Sequence, residues 1–402
     1  MARRSIASAL ALLALVACDD DTLDHDPPDD TGTEDAKTEP KDAGFDDAEA
    51  PEVGTIDSGA PVAELVTLDL GEVVLSNGSS DAVSFELPSD VTTFTIIISG
   101  PLSTMFVVGR LDGPTGNLVS DDPSTVSPIE GFLLGPFAAQ FKSPNRVTGK
   151  EGVASALFPN NPAVSVTGGN YDLRVRGLVV ANSAPYSGNV HVEVAYKTTI
   201  STRGLLDVHV YLSGAAGLTT RTATSTLLTA ALARLEEIYA QADIELGAVV
   251  FHDIDASFQT RDVTAASLGP MFQLSEGNGP GLHYFLVDRF VGGIPGGVVG
   301  GIAGGLPGPP GHAGSPSSGV AVAVTAASGD SDVLAHVMAH EGGHWLGLFH
   351  TSEITGTNDQ LDDTPVGQSG TTHLMYPAVG GGQTLSPSQA DVMHRHLEVI
   401  PQ

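Results

Sequence analysis

Cysteine is almost missing: among 402 residues the single one is Cys18. A disulfide within the chain is therefore excluded, and no other thiolate remains to ligate zinc or to act as a cysteine latch. Positive charge is scarce as well. Lys and Arg number 17 against 48 Asp and Glu, a formal net charge of −31. That excludes the clustered basic surface a nucleic-acid partner requires and repels anionic membranes and substrates. Aromatics make up only 5% of the chain. With Gly, Ser, Thr and Val abundant, the composition points to β-rich structure with long loops, not a helical bundle.

A marked apolar run occupies Ile6 to Val16 behind the basic Arg3 and Arg4. It is too short to span a bilayer comfortably and has the layout of a leader. Its end, Leu15-Val16-Ala17-Cys18, resembles the lipobox of bacterial lipoproteins. The resemblance implies cleavage before Cys18, a lipid on its thiol, and an exported protein anchored at the cell envelope without a transmembrane helix. The alternative is an ordinary signal peptide with an incidental cysteine. Residues 19–60 are expected to be a disordered acidic tether. Asp19 to Glu52 holds eleven Asp and four Glu against Lys37 and Lys41, too little apolar surface to offset the entropy of ordering. A calcium-binding tract is disfavoured, because no ligand repeat with glycine at fixed offsets is present.

Over 61–200 the pattern becomes two-fold. Runs rich in Val, Ile, Phe and Thr recur at Ala63–Leu75, Ala82–Leu87, Thr92–Ile98, Met105–Leu111, Tyr171–Val180 and Asn189–Tyr196, separated by turn residues. An antiparallel β-sandwich or jelly-roll module follows. It offers no ligand constellation, and His191 reads as a rim histidine. Docking, adhesion and a pro-region covering an active site all remain open for it.

From Gly204 to the end, helical and strand patterns mix. Leu206–Leu212, Leu246–Phe251, His283–Val287 and Gly319–Thr325 read as strands. Thr222–Ala242 has the apolar spacing of a helix burying one face. The Ser386-Pro387-Ser388-Gln389 capping box opens a last helix to about Leu397.

Chemistry concentrates in His340-Glu341-Gly342-Gly343-His344-Trp345-Leu346-Gly347-Leu348-Phe349-His350. Histidines at i and i+4 share one helix face, about one turn apart, where both imidazoles can reach one metal. Glu341 falls on the neighbouring edge, suited to holding a water as a base. Gly347 sits where a positive φ would end the helix and return His350 to the metal. Gly342 and Gly343 weaken a helix at its centre, which argues for a site more than for packing. His336 lies one turn earlier, but three ligands in line along a helix span roughly 12 Å, too far for one ion. Three imidazoles with one open position describe a catalytic zinc site.

The extended motif resembles that of the metzincin zinc endopeptidases. His373-Leu374-Met375-Tyr376-Pro377 is similar to their methionine turn, and implies a structural floor role for Met375. The wording of Trp345–Thr351 and Asp362-Asp363-Thr364-Pro365 is closest to the pappalysin, or cytophagalysin, branch. One departure stands out: Pro377 occupies the place of the tyrosine that assists zinc in that branch, and Tyr376 is given no catalytic role. The resemblance further implies that Gly301, Ile302 and Ala303 form the edge strand pairing with an extended substrate, the alternative being a surface loop. It also implies structural calcium in the loop around Asp359–Asp363, against a merely solvated acidic loop. His312 receives no role.

The expected fold class is thus multidomain, an all-β sandwich or jelly-roll-like module followed by an α+β metzincin-like peptidase over 204–402. The expected function is endopeptidase action on extracellular or envelope proteins, with His340, His344 and His350 as zinc ligands and Glu341 as the base. The alternative is a surface-anchored adhesion or binding lipoprotein whose peptidase unit is slow or vestigial.

Overall fold

Residues 65–402, except 294–297, 354–357 and 379, are described by a computed structural model. The leader over 1–18, lipidation at Cys18 and the tether over 19–60 lie outside the described residues. Among the described residues no helix is long and apolar enough to cross a membrane.

Alternation shapes several strands of the first unit. Along Gly169–Val179 the residues Tyr171, Leu173 and Val175 point inward while Asp172 and Arg174 face solvent. The six expected runs become Val66–Ser76, Val83–Leu87, Thr93–Ser99, Thr104–Gly113, Gly169–Val179 and Gly188–Lys197. All belong to one antiparallel eleven-stranded sheet. Lys150–Glu151 pairs with Met105 and Phe106, then leads into Val153–Phe158 at the other end of the strand order. The sheet thereby closes around a core of Phe85, Phe94, Phe106, Phe158 and Tyr171.

Val153–Phe158 escapes the two-fold pattern because every residue in it is buried. Ala154, Ala156 and Phe158 enter the β-core, whereas Leu157 enters the core of the C-terminal unit. A strand covered on both faces does not alternate.

In the second unit the strand order is Ile244–Asp253, Gly204–Leu212, Leu282–Val287, Val320–Ala323, Gly301–Ala303. The first four neighbour one another in parallel, and the last is antiparallel. The helix expected over 222–242 is trimmed to Thr226–Tyr239 by the Ser225 cap and the left-handed Asp243, φ 53°. Its buried stripe, Leu228, Ala231, Leu235 and Ile238, joins a core with Leu334, Ala335, Met338 and Ala339 of the helix Ser331–Trp345. Asp330 caps that helix by accepting from Asp332 N and Val333 N at 2.8 and 3.3 Å. Ala265–Phe272 is a further helix, on the opposite face against Tyr211 and Phe285. The last helix, Pro387–Arg395, opens on the expected capping box.

The two units share buried contacts. Ser155 Oγ donates to Pro307 O at 2.5 Å and Ser317 Oγ to Val153 O at 2.9 Å. Lys197 Nζ reaches the carbonyls of His396 and Val399, and His312 pairs with Glu193 at 3.1 Å. Deep in this seam His396 lies 4.5 Å from the Trp345 ring. Its Nε2 faces the Gly308 carbonyl at 3.2 Å, and its Nδ1 accepts from Glu398 N at 3.3 Å. Only a neutral ring satisfies both partners. Burial pushes its pKa down to about 3, against the Gly308 hydrogen bond and with the Lys197 charge. The folded value lies below the unfolded one, so the stability is complete above about pH 6.5 and is lost as pH falls from there toward 3. The expected loss is up to about 1.4 kcal/mol per pH unit in that window. Urea midpoints across it should fall more steeply for the parent than for His396→Gln; equal slopes would remove this role.

Candidate active site

The helix Ser331–Trp345 presents His340 and His344 on one face. Leu346 closes it, and Gly347 at φ 102° reverses the chain, so His350 returns to the same point. His350 Nε2 lies 3.2 Å from His340 Nε2 and 3.0 Å from His344 Nε2. Among the described residues these three form a group of buried side chains whose ligand atoms lie close enough together to hold a metal ion.

The other ring nitrogens decide the proton positions. His340 Nδ1 is 2.7 Å from Leu374 O and His344 Nδ1 is 2.7 Å from Leu348 O. His350 Nδ1 is 3.3 Å from Glu353 Oε1. Each partner only accepts, so each Nδ1 carries the proton and each Nε2 presents a lone pair. Three lone pairs cannot hydrogen-bond one another, and facing each other at this range they repel. Protonating His340 or His344 is also opposed. Burial, with the neighbouring rings, holds His340 well below its ordinary range and His344 at about 3. The donor set fits a divalent cation of zinc's kind, with imidazole nitrogens converging and their orientation fixed from behind.

Glu341 stands beside this cluster without joining it. Its side chain lies over Gly301, where an added Cβ would come within 2.4 Å of its Cγ. The Ala303 N–H donates to the carboxylate, but burial dominates and pushes its pKa up to about 8.

Gly301, Ile302 and Ala303 do form an edge strand. Gly304 N bonds to Gly319 O at 2.7 Å and Ala323 N to Gly300 O at 2.8 Å, so the backbone groups of Gly301 and Ala303 face away from the sheet. Ala303 is engaged on that side: its N–H meets Glu341, and its carbonyl accepts from Lys150 Nζ of the β-unit at 3.5 Å.

Met375 is fully buried against Gly343, where an added Cβ would meet its Sδ at 2.8 Å. An added Cβ on Gly342 would meet the Tyr239 and Tyr284 hydroxyls at 2.2 and 2.3 Å. Both glycines thus answer to packing, which corrects the expectation that they signal a site. His336 stays outside the cluster, 3.2 Å from Ala378 O. The calcium expectation finds no support. Asp363 accepts from Ser386 Oγ and Ser388 N and so caps the last helix, while Asp359 accepts from Thr364 Oγ1.

Sequence reasoning missed the groups that orient the rings. The Leu374 and Leu348 carbonyls leave no trace in side-chain patterns. Glu353, three residues after His350, was a readable acidic signal. It is buried, and although desolvation pushes its pKa up, His350 and Arg146 outweigh that and hold it below the usual range. Arg146, 3.1 Å from Glu353 Oε1, comes from the other unit and had no local signal at all.

No protein-family model matches this chain. An extracellular metalloprotease of Podospora anserina is 36% identical over 69 residues, which is 16% of this chain and 22% of that protein. The chain thus matches well under two thirds of that relative's length. Among solved structures, metalloproteinase-II from Bacteroides fragilis aligns with 53% of this chain and 63% of its own at 14% identity, TM-score 0.30. A family two carbohydrate esterase from Clostridium thermocellum aligns with 56% of this chain and 66% of its own at 10% identity, TM-score 0.15. The local sequence similarity is to a metalloprotease.

Proposed function

We propose that the chain is a zinc-dependent endopeptidase of metzincin type, acting on protein or peptide substrates outside the cytoplasm. One observation carries the reading: three buried imidazoles, each with Nδ1 bound to an acceptor, aim bare Nε2 atoms at one point. His340, His344 and His350 would hold the ion, and when bound zinc supplies Lewis acidity beside the scissile carbonyl. Glu341 takes a proton from the attacking water and returns it to the departing amine. The Ala303 N–H and the floor of Gly301 keep its carboxylate in place. The backbone groups of Gly301 and the carbonyl of Ala303 face outward toward an extended substrate, which at Ala303 would displace Lys150 while the Ala303 N–H stays with Glu341. Met375 supports the helix from below.

The extracellular setting of the Podospora relative, together with the leader-like residues 1–18, supports export. Anchoring through lipid on Cys18 belongs to the same proposal, and the pappalysin branch is the favoured relative within the metzincins on the wording around His350 and Asp362. The test uses the chain without residues 1–18. About one zinc per chain and chelator-sensitive cleavage of an unfolded protein substrate are expected. Metal-free protein with no cleavage after zinc is added would overturn the reading.

A further inference from the structure

The β-unit reaches the residue behind the imidazole cluster through the side chain of Arg146. Arg146 Nη2 donates to Glu353 Oε1 at 3.1 Å, and the same oxygen receives His350 Nδ1 at 3.3 Å. Arg146, Glu353 and His350 expose only 2%, 4% and 6% of their side chains. The guanidinium lies against two edge-to-face rings, 3.9 Å from the Phe141 centroid and 4.3 Å from that of Phe349. Its backbone is clamped on both sides by Asn160, whose Oδ1 accepts from Arg146 N at 3.1 Å and whose Nδ2 donates to Arg146 O at 2.6 Å.

The arrangement is poor as a mere strut. Arg146 Nε and Nη1 are buried without acceptors among the described residues, and so is Glu353 Oε2 without a donor. Apolar residues of similar volume hold an interface at least as well as an incompletely bonded ion pair. The pair does something an apolar pair cannot: it puts a fixed negative oxygen behind the third imidazole.

We propose that Arg146 is a positioning residue of the metal site, acting through Glu353 to fix the ring and tautomer of His350. The inference rests on the metal-site reading above and extends it, because it makes the β-unit a part of the site. A pro-region discarded near Gly204 would take Arg146 with it.

Ligand-orienting carboxylates of this type typically govern about 10–100-fold in metal affinity. The experiment titrates zinc into metal-free protein in competition with a chromophoric chelator, using the chain without residues 1–18. It compares the parent with Arg146→Met, Glu353→Gln and the double variant, and records the visible spectrum of the cobalt-substituted forms. Both single variants are expected to bind zinc about 10–100-fold more weakly and to alter the cobalt spectrum. The double variant should be no weaker than either single one, because the residues act in series. Should Arg146→Met fail to fold, the double variant, which leaves no unpaired buried charge, carries the comparison alone. Parent-like affinity and spectrum in Arg146→Met, or in the double variant, would overturn the inference while leaving the metal site standing. A parent that binds no zinc would overturn both.

Discussion

Glu341→Gln is expected to keep about one zinc per chain while lowering kcat for peptide hydrolysis by roughly 10²–10⁴-fold. Metal retention follows from the geometry, since the ligand atoms come from His340, His344 and His350 and Glu341 lies outside their cluster. The loss of turnover follows from proton affinity. Burial raises the Glu341 pKa in the metal-free chain, a neighbouring cation lowers it again, and the carboxylate can then take up a proton and release it near neutral pH. Glutamine fills the same space over Gly301 and can still accept from Ala303 N–H, but it cannot carry a proton from water to amine. KM should therefore change little while kcat falls. Single-turnover rates and metal content measured on the same preparation check this, and turnover within a few-fold of the parent would remove Glu341 as the base.

Why that residue was legible in the sequence, and others were not, has a physical basis. His340, Glu341 and His344 are related by helix periodicity alone, and His350 follows once Gly347 is given a positive φ, observed at 102°. Local geometry connects them, so local sequence reveals them. Strands of the β-unit were legible from alternation, as in Gly169–Val179, or from a run of β-branched and aromatic residues, as in the buried Thr93–Ser99. Val153–Phe158 was not, because it is buried throughout and so lacks alternation, and Ala154, Ser155 and Ala156 give it none of the β-branched content that marks Thr93–Ser99. Gly342 and Gly343 misled in the opposite direction. Their small size accommodates Tyr239, Tyr284 and Met375, which approach from distant segments. Arg146 is the extreme case: it meets Glu353 across 207 residues of chain, and only the folded seam between the units places it behind His350.

Removing the metal is the other change with a large expected effect, this time on stability. In its absence the His350 Nε2 lone pair stays 3.2 and 3.0 Å from those of His340 and His344, and none of the three rings can rotate away without breaking its Nδ1 bond to Leu374 O, Leu348 O or Glu353. A bound cation turns that repulsion into attraction, and the unfolded chain has no comparable preformed site. With free zinc about 1,000-fold above its dissociation constant, binding adds roughly 4 kcal/mol to the unfolding free energy. Thermal or urea unfolding with and without a chelator should show a gap of that order. Zinc should restore it, whereas calcium or magnesium should not, because hard cations prefer oxygen ligands to imidazole. His350→Ala should lose the zinc-dependent increment and resemble the stripped parent in the presence of zinc. Identical unfolding curves with and without metal would mean that the imidazoles are packing groups, and would leave Glu341 with no chemistry beside it.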